Sequence, residues 1–229
     1  MIFYQYKDGY RYNSDTVFLY NFISKYKISG SLLDIGSGCG ILGLLVKRDF
    51  AKIELTQIDI QEKNTILNRK NAKANSIESK VICSDFLSYD FKEKFDFIIS
   101  NPPFYHKGSL KSEDKSLFLS RHSEALEIEK FITKTYKLLN PKGSFIFCYD
   151  AKQLDDLLVK LTNARFKVNE IRFIHVNLQK PASLVMIYAK RESKSLCKIL
   201  PPLVLYKDGV YTDFVKNIFK RADTNSEDI

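Results

Sequence analysis

Residues 31–48, SLLDIGSGCGILGLLVKR, constrain the fold more than any other stretch of this chain. A short apolar run enters a cluster of three glycines in five positions, and an apolar, helix-forming run leaves it. This reads as a buried strand (31–35), a tight turn and a helix (41–48). Glycines there permit positive φ and leave no Cβ between the backbone and a ligand. The same alternation continues downstream. Strands are expected at 53–60, 79–83, 95–99, 144–148, 166–175 and 184–190, with helices at 14–26, 63–74, 128–139 and 154–163. Strands alternating with helices imply an α/β fold: a doubly wound, mostly parallel, seven-stranded Rossmann-like sheet. The last two strands are close enough in sequence to pair antiparallel. Asn140-Pro141 and Gly143 are expected to stop the helix before the fifth strand.

In a doubly wound sheet, ligands bind beyond the carboxyl ends of the strands. Four chemically unusual segments fall there: Asp34–Gly40, Asp59, Asp85-Phe86 and Asn101-Pro102-Pro103-Phe104. Gly38-Cys39-Gly40-Ile41-Leu42-Gly43 matches the G-x-G-x-x-G dinucleotide pattern, with Asp59 about 20 residues on. Asp34 argues against a dinucleotide, because a pyrophosphate seeks donors and positive dipoles rather than an acid. An acid at that point suits a cationic ligand such as an amine. Asp59 can accept from ribose hydroxyls and Asp85 from the exocyclic amine of a purine. The alternative is that these acids cap the helices that follow them.

Asn101-Pro102-Pro103-Phe104 is the most specific feature. Two prolines fix successive φ angles and remove two backbone donors, leaving a stiff turn with bare carbonyls. The Asn101 side-chain carbonyl and the Pro102 backbone carbonyl can both accept from one planar NH₂ group and so orient its nitrogen lone pair. Phe104 offers a face on which an unstacked base can lie, worth about 1–3 kcal/mol. A purely structural Pro-Pro turn is the alternative.

LLDIGSGCG, IDI, the Asp85 segment and FDFIISNPPF together resemble the motifs of class I S-adenosylmethionine-dependent methyltransferases over residues 31–104. The resemblance implies S-adenosylmethionine as cofactor. It implies Asp34 near the amino acid end, Gly36, Ser37, Gly38 and Gly40 beneath it, Asp59 and Ile60 at the ribose, and Asp85 and Phe86 at the adenine, with Asn101 nearby. The tetrapeptide, the NPPF motif, resembles that of amino-group methyltransferases, which act on adenine N6, guanine N2 or glutamine N5. It implies Asn101, Pro102, Pro103 and Phe104 as catalytic residues. Residues 9–19, 101–108, 120–124, 201–206 and 209–212 are similar to stretches of the bacterial tRNA(1)(Val) adenine-37 N6-methyltransferase family. That likeness implies an N6-methyladenine product in RNA, with tRNA as partner, and a nucleotide met by Tyr105, His106, Lys107, Arg121 and His122. Guanine-N2 methylation of ribosomal RNA and glutamine-N5 methylation of protein are the rivals. This chain has Phe104-Tyr105 where the family more often has Tyr-Phe.

Charge bears on the partner. The chain of 229 residues carries a formal charge of +9. Residues 31–100 are balanced, ten basic against ten acidic, whereas residues 136–190 hold nine basic against four acidic. The surplus lies outside the cofactor motifs, where a polyanion would sit, unless these lysines solvate exposed helix faces. The four cysteines have neither zinc-site nor disulfide-framework spacing, so no metal is expected and a reducing cytoplasm fits. No membrane span and no leader are expected. The expected organisation is a helical cap segment (1–30), a methyltransferase domain (31–221) and a frayed tail (222–229).

Overall fold

A computed structural model describes residues 1–7, 12–102 and 128–229. The expectations for Pro103, Phe104, Tyr105, His106, Lys107, Arg121 and His122 therefore lie outside the described residues. The strands are β1 (Ile2–Gln5), β2 (Ser31–Ile35), β3 (Glu54–Asp59), β4 (Lys80–Cys83), β5 (Phe95–Ser100), β6 (Leu139–Asp150), β7 (Phe166–His175), β8 (Ala182–Arg191), β9 (Lys198–Ile199), β10 (Leu203–Val204), β11 (Tyr206–Lys207), β12 (Val210–Tyr211) and β13 (Asn225–Asp228). The described helices are α1 (Ser14–Ile23), α2 (Ile41–Asp49), α3 (Glu62–Ala74), α4 (Ile128–Leu138), α5 (Leu154–Asn163) and α6 (Asp213–Ala222).

The central sheet runs β10-β7-β8-β6-β5-β2-β3-β4, with β9 also on β7. From β4 to β6 all pairs are parallel, and β8 lies antiparallel between β6 and β7. The seven expected strands are all present. The two additions are short and follow from chemistry: Pro201 and Pro202 cannot donate to a ladder, so one edge segment along β7 breaks into β9 and β10.

Alternation along the strands sends successive side chains to opposite faces. Leu32, Ile99, Ile146 and Cys148 pack with α1, α2 and α6 on one face. Leu33, Ile98, Phe145 and Phe147 pack with α4 and α5 on the other. Ile41 to Val46 are all buried, so α2 is apolar on every side and sits inside the α1 layer. Asn13 caps α1, its side chain accepting from the Asp15 amide at 3.1 Å. α4 ends at Leu138, as Asn140-Pro141 and Gly143 predict, although Asn140 to Gly143 form no separate loop. They lie within β6, looped out at the register shift between Phe95↔Leu139 and Phe97↔Ser144, where a proline is tolerated.

Two parts of the expected organisation change. The first 30 residues contain a strand as well as a helix, and residues 225–228, expected to fray, form β13 in parallel register with β1. The other edge of β1 is closed by side chains. Asn71 exchanges two hydrogen bonds with Tyr4 (2.8 and 3.2 Å), and Asn75, one helical turn on, exchanges two with Ile2 (3.0 and 2.7 Å). The asparagine-rich face of α3 thus does the work of a neighbouring strand.

Candidate active site

The turn after β2 is held from below. The Gly36 and Ser37 amides both donate to the Ile58 carbonyl, and the Gly38 amide donates to Asp59 Oδ2 at 2.8 Å. Gly38 and Gly40 have φ of +54° and +88°. A Cβ on Gly38 would meet nothing within 4 Å, so that position is open, whereas on Gly40 it would lie 2.4 Å from Asn68 Oδ1. Asn68 also donates to Ser37 Oγ at 3.1 Å, and Asn71 to the Cys39 carbonyl at 2.9 Å. The glycine turn is therefore clamped between β3 and α3.

Asp34 is 1% exposed. Its Oδ2 accepts from the Gly43 amide (3.0 Å) and from Gln57 Nε2 (3.1 Å). Burial pushes its carboxyl up to about 7, against the pull of those two hydrogen bonds and with a further push from Asp59. Burial likewise raises Asp59, which accepts from the amides of Gly38 and Gln61 and from Asn64 Nδ2 (3.2 Å). Two adjoining acids held in a dry turn, with no basic partner among the described residues, form a pocket that favours a cation.

Asn101 leaves the end of β5 beside this turn, with Pro102 buried behind it. Its Nδ2 donates to Thr16 Oγ1 on α1 at 2.8 Å, and its Oδ1 accepts from Cys148 Sγ on β6 at 2.8 Å. Burial keeps the Cys148 thiol well above its usual range, so it remains a donor. Both ends of the Asn101 amide are thus fixed, and Oδ1 keeps a second lone pair for an incoming N–H. A single cavity is lined by Tyr12, Thr16, Asp34, the Gly36–Cys39 turn, Ile41, Leu42 and Asn101.

Of the expected cofactor residues, the structure brings Asp34, Gly36, Ser37, Gly38 and Asn101 to one cavity and sets Asp59 and Gly40 beneath the turn. Ile60 is 58% exposed just beyond β3. Asp85 accepts from the Leu87 amide at 2.9 Å in a short turn with no helix after it to cap, and it is not among the residues that line this cavity. The Phe86 side chain is packed against Phe91 and Phe131, so a ligand contact from that residue is left to its main chain. Sequence reasoning read Thr16 as starting a helix that could close over the cofactor, and did not assign Gln57, Asn68 or Cys148 to the site.

Residues 11–169 match the family described as the methyltransferase small domain, and the chain belongs to that family. Among curated proteins it is similar to a tRNA1(Val) (adenine(37)-N6)-methyltransferase of Porphyromonas gingivalis, 30% identical over 63% of this chain and 58% of that one. A protein of the same name from Dyadobacter fermentans is 27% identical over 80% of this chain and 77% of its own. A ribosomal RNA small subunit methyltransferase C of Haemophilus influenzae is 40% identical over 34% of this chain and 24% of its own. The matched part spans under three fifths of the first of these relatives. Among solved structures, a predicted O-methyltransferase of Agrobacterium tumefaciens superposes with TM-score 0.69 at 16% identity, over 93% of this chain and 99% of that one. A 16S rRNA N2 G1207 methyltransferase of T. thermophilus, in complex with AdoMet and guanosine, superposes with TM-score 0.57 at 19% identity, over 80% and 44%. These two likenesses concern the fold.

Proposed function

We propose that the chain transfers a methyl group from S-adenosylmethionine to the exocyclic N6 amine of an adenine in RNA, with tRNA as the substrate class. The observation that carries this reading is the Asn101 amide, fixed by Thr16 and Cys148 at the rim of a cavity whose other end is the buried acid Asp34. S-adenosylmethionine supplies an electrophilic methyl on a sulfonium, with an amino acid tail carrying an ammonium and an adenosine carrying two ribose hydroxyls.

The donor set fits that molecule. Asp34 would meet the ammonium, the glycine turn would lie against the amino acid portion, Asp59 and Ile60 would face the ribose, and the Asp85-Phe86 segment the adenine. Asn101 Oδ1 and the Pro102 carbonyl would accept from the two hydrogens of the target amine, holding its lone pair on the line of attack. Positioning and dipole placement supply the catalysis. The amine proton leaves to solvent after transfer. Cys148, held neutral, keeps the Asn101 carbonyl aimed while transfer proceeds.

Adenine in tRNA is favoured by the relatives whose match covers most of this chain, whereas the ribosomal RNA relatives match a third of it. Labelled S-adenosylmethionine and total RNA from a cell lacking the gene provide the test. N6-methyladenosine in tRNA supports the reading. N2-methylguanosine, or label in protein alone, overturns it. Asn101→Ala abolishes transfer while leaving cofactor affinity within a few-fold.

A further inference from the structure

At the opposite end of the sheet, under the amino ends of β2 and β5, lies a second cleft of about 670 Å³. Four lysines line it: Lys25 and Lys27 after α1, Lys142 in the looped-out start of β6, and Lys190 near the end of β8. Strands of five to six residues separate this cleft from Asn101, a distance of about 20 Å.

Three features set it apart from an ordinary solvated surface. First, like charges are brought together. Lys190 stands directly opposite Lys167 in the β7–β8 ladder, an arrangement that destabilises a sheet on its own. Lys25 lies within electrostatic reach of Arg172 as well as Glu170. Second, the facing acids are committed elsewhere. Asp96 accepts from the Ser31 amide (3.0 Å), Ser31 Oγ (3.2 Å) and Asn140 Nδ2 (2.8 Å). Glu170 accepts from Tyr26 Oη at 2.7 Å and stands 3.9 Å from Lys25. Lys27, Lys142 and Lys190 form no ion pair among the described residues. Third, Lys142 is held at φ +63°, a conformation that an L side chain adopts at a cost, and the cleft wall carries the paired rings of Tyr26 and Tyr188, 4.3 Å between centroids.

We infer that this cleft binds the phosphodiester backbone of the substrate RNA at a point about 20 Å from the base presented to Asn101, with Lys27, Lys142 and Lys190 as the phosphate contacts. Spaced lysines suit a chain of phosphates, and the ring pair suits an exposed nucleotide between them. The inference rests on the RNA reading above. It deepens that reading by adding an anchor that holds the body of the RNA while the target loop reaches the far end of the sheet.

The test replaces Lys27, Lys142 and Lys190 together by Gln and measures tRNA binding directly by fluorescence anisotropy across a salt series, in parallel with methyl transfer. The triple variant is expected to bind tRNA at least about tenfold more weakly. Its slope of log affinity against log salt is expected to be shallower by about 2 to 3, with cofactor affinity unchanged and a melting temperature no lower than wild type, since the Lys190–Lys167 repulsion is removed. A variant of equal charge, Lys52→Gln, Lys73→Gln and Lys216→Gln, is expected to keep the wild-type slope. An unaltered slope in the first variant, or an equal loss in the second, overturns the inference. So does loss of binding to inorganic phosphate or pyrophosphate with tRNA binding intact, which assigns the cleft to a small phosphorylated molecule. Because binding is read without turnover, a wild-type protein that binds tRNA through the cleft but methylates none refutes the reaction and leaves the anchor standing.

Discussion

Replacing Asp34 by Asn separates the cost of the site from its use. In the folded chain burial lifts this carboxyl from its ordinary 3.8 to about 7. The native state therefore holds a proton between those values that the unfolded chain releases, and stability falls as pH rises from 3.8 to 7. At about 1.4 kcal/mol per pH unit the full penalty above pH 7 is about 4 kcal/mol, offset in part by whatever relaxation the turn allows. Asn is isosteric and uncharged, and its oxygen can still accept from Gly43 and Gln57. The ligand-free variant is therefore expected to be more stable than wild type by about 2–4 kcal/mol at pH 8, about 5–15 °C in melting temperature for a chain of this size, and by less than half of that at pH 5. Saturating S-adenosylmethionine raises the wild-type melting temperature, because a ligand that binds the native state alone stabilises it. In the Asn variant most of that rise is lost. Scanning fluorimetry at the two pH values, with and without cofactor, reads all four quantities. A variant less stable than wild type at pH 8, or one that keeps the full cofactor-induced rise, refutes the argument that Asp34 is an unpaired buried charge awaiting a cation.

Thr16→Ala removes one hydrogen bond from Asn101 and is expected to lower kcat about five- to tenfold while KM for RNA changes little, with Thr16→Ser restoring the rate. Cys148→Ala takes the donor from Asn101 Oδ1 and, combined with Thr16→Ala, is expected to cost more than the two singles multiplied, because the amide is then free to rotate. Steady-state kinetics on tRNA checks both. Gly40→Ala places a methyl 2.4 Å from Asn68 Oδ1 at a φ of +88° and is expected to destabilise the fold by about 2–4 kcal/mol in urea titration.

The parallel sheet was legible because each of its strands is an apolar run with a turn signal at its end. For 166–175 the expected bounds are those observed. Local pattern also marked the glycine turn and Asn101, short runs of consecutive residues that the fold brings to one cavity. It failed where the partner is distant. Residues 2–5 have no hydrophobic alternation to mark them, and they become a strand because Asn71, Asn75 and residues 225–228 meet their two edges. Thr16 and Cys148 enter the site through the crossing of α1 over the end of β6, which no spacing in the sequence encodes. Asn140-Pro141 does stop α4, at Leu138, but β6 begins ahead of the proline, because a bulge absorbs both the missing donor and the extra residues.

Tyr12 lines the cofactor cavity, and its hydroxyl is held by Ser226 Oγ at 2.6 Å. The strand that contains Ser226 pairs with one made more than 200 residues earlier. One edge of β1 therefore has its strand partner only when residues 225–228 are present. A chain trimmed ahead of Ser226 would keep every strand of the central sheet yet lose the contact that holds Tyr12 in the cavity wall.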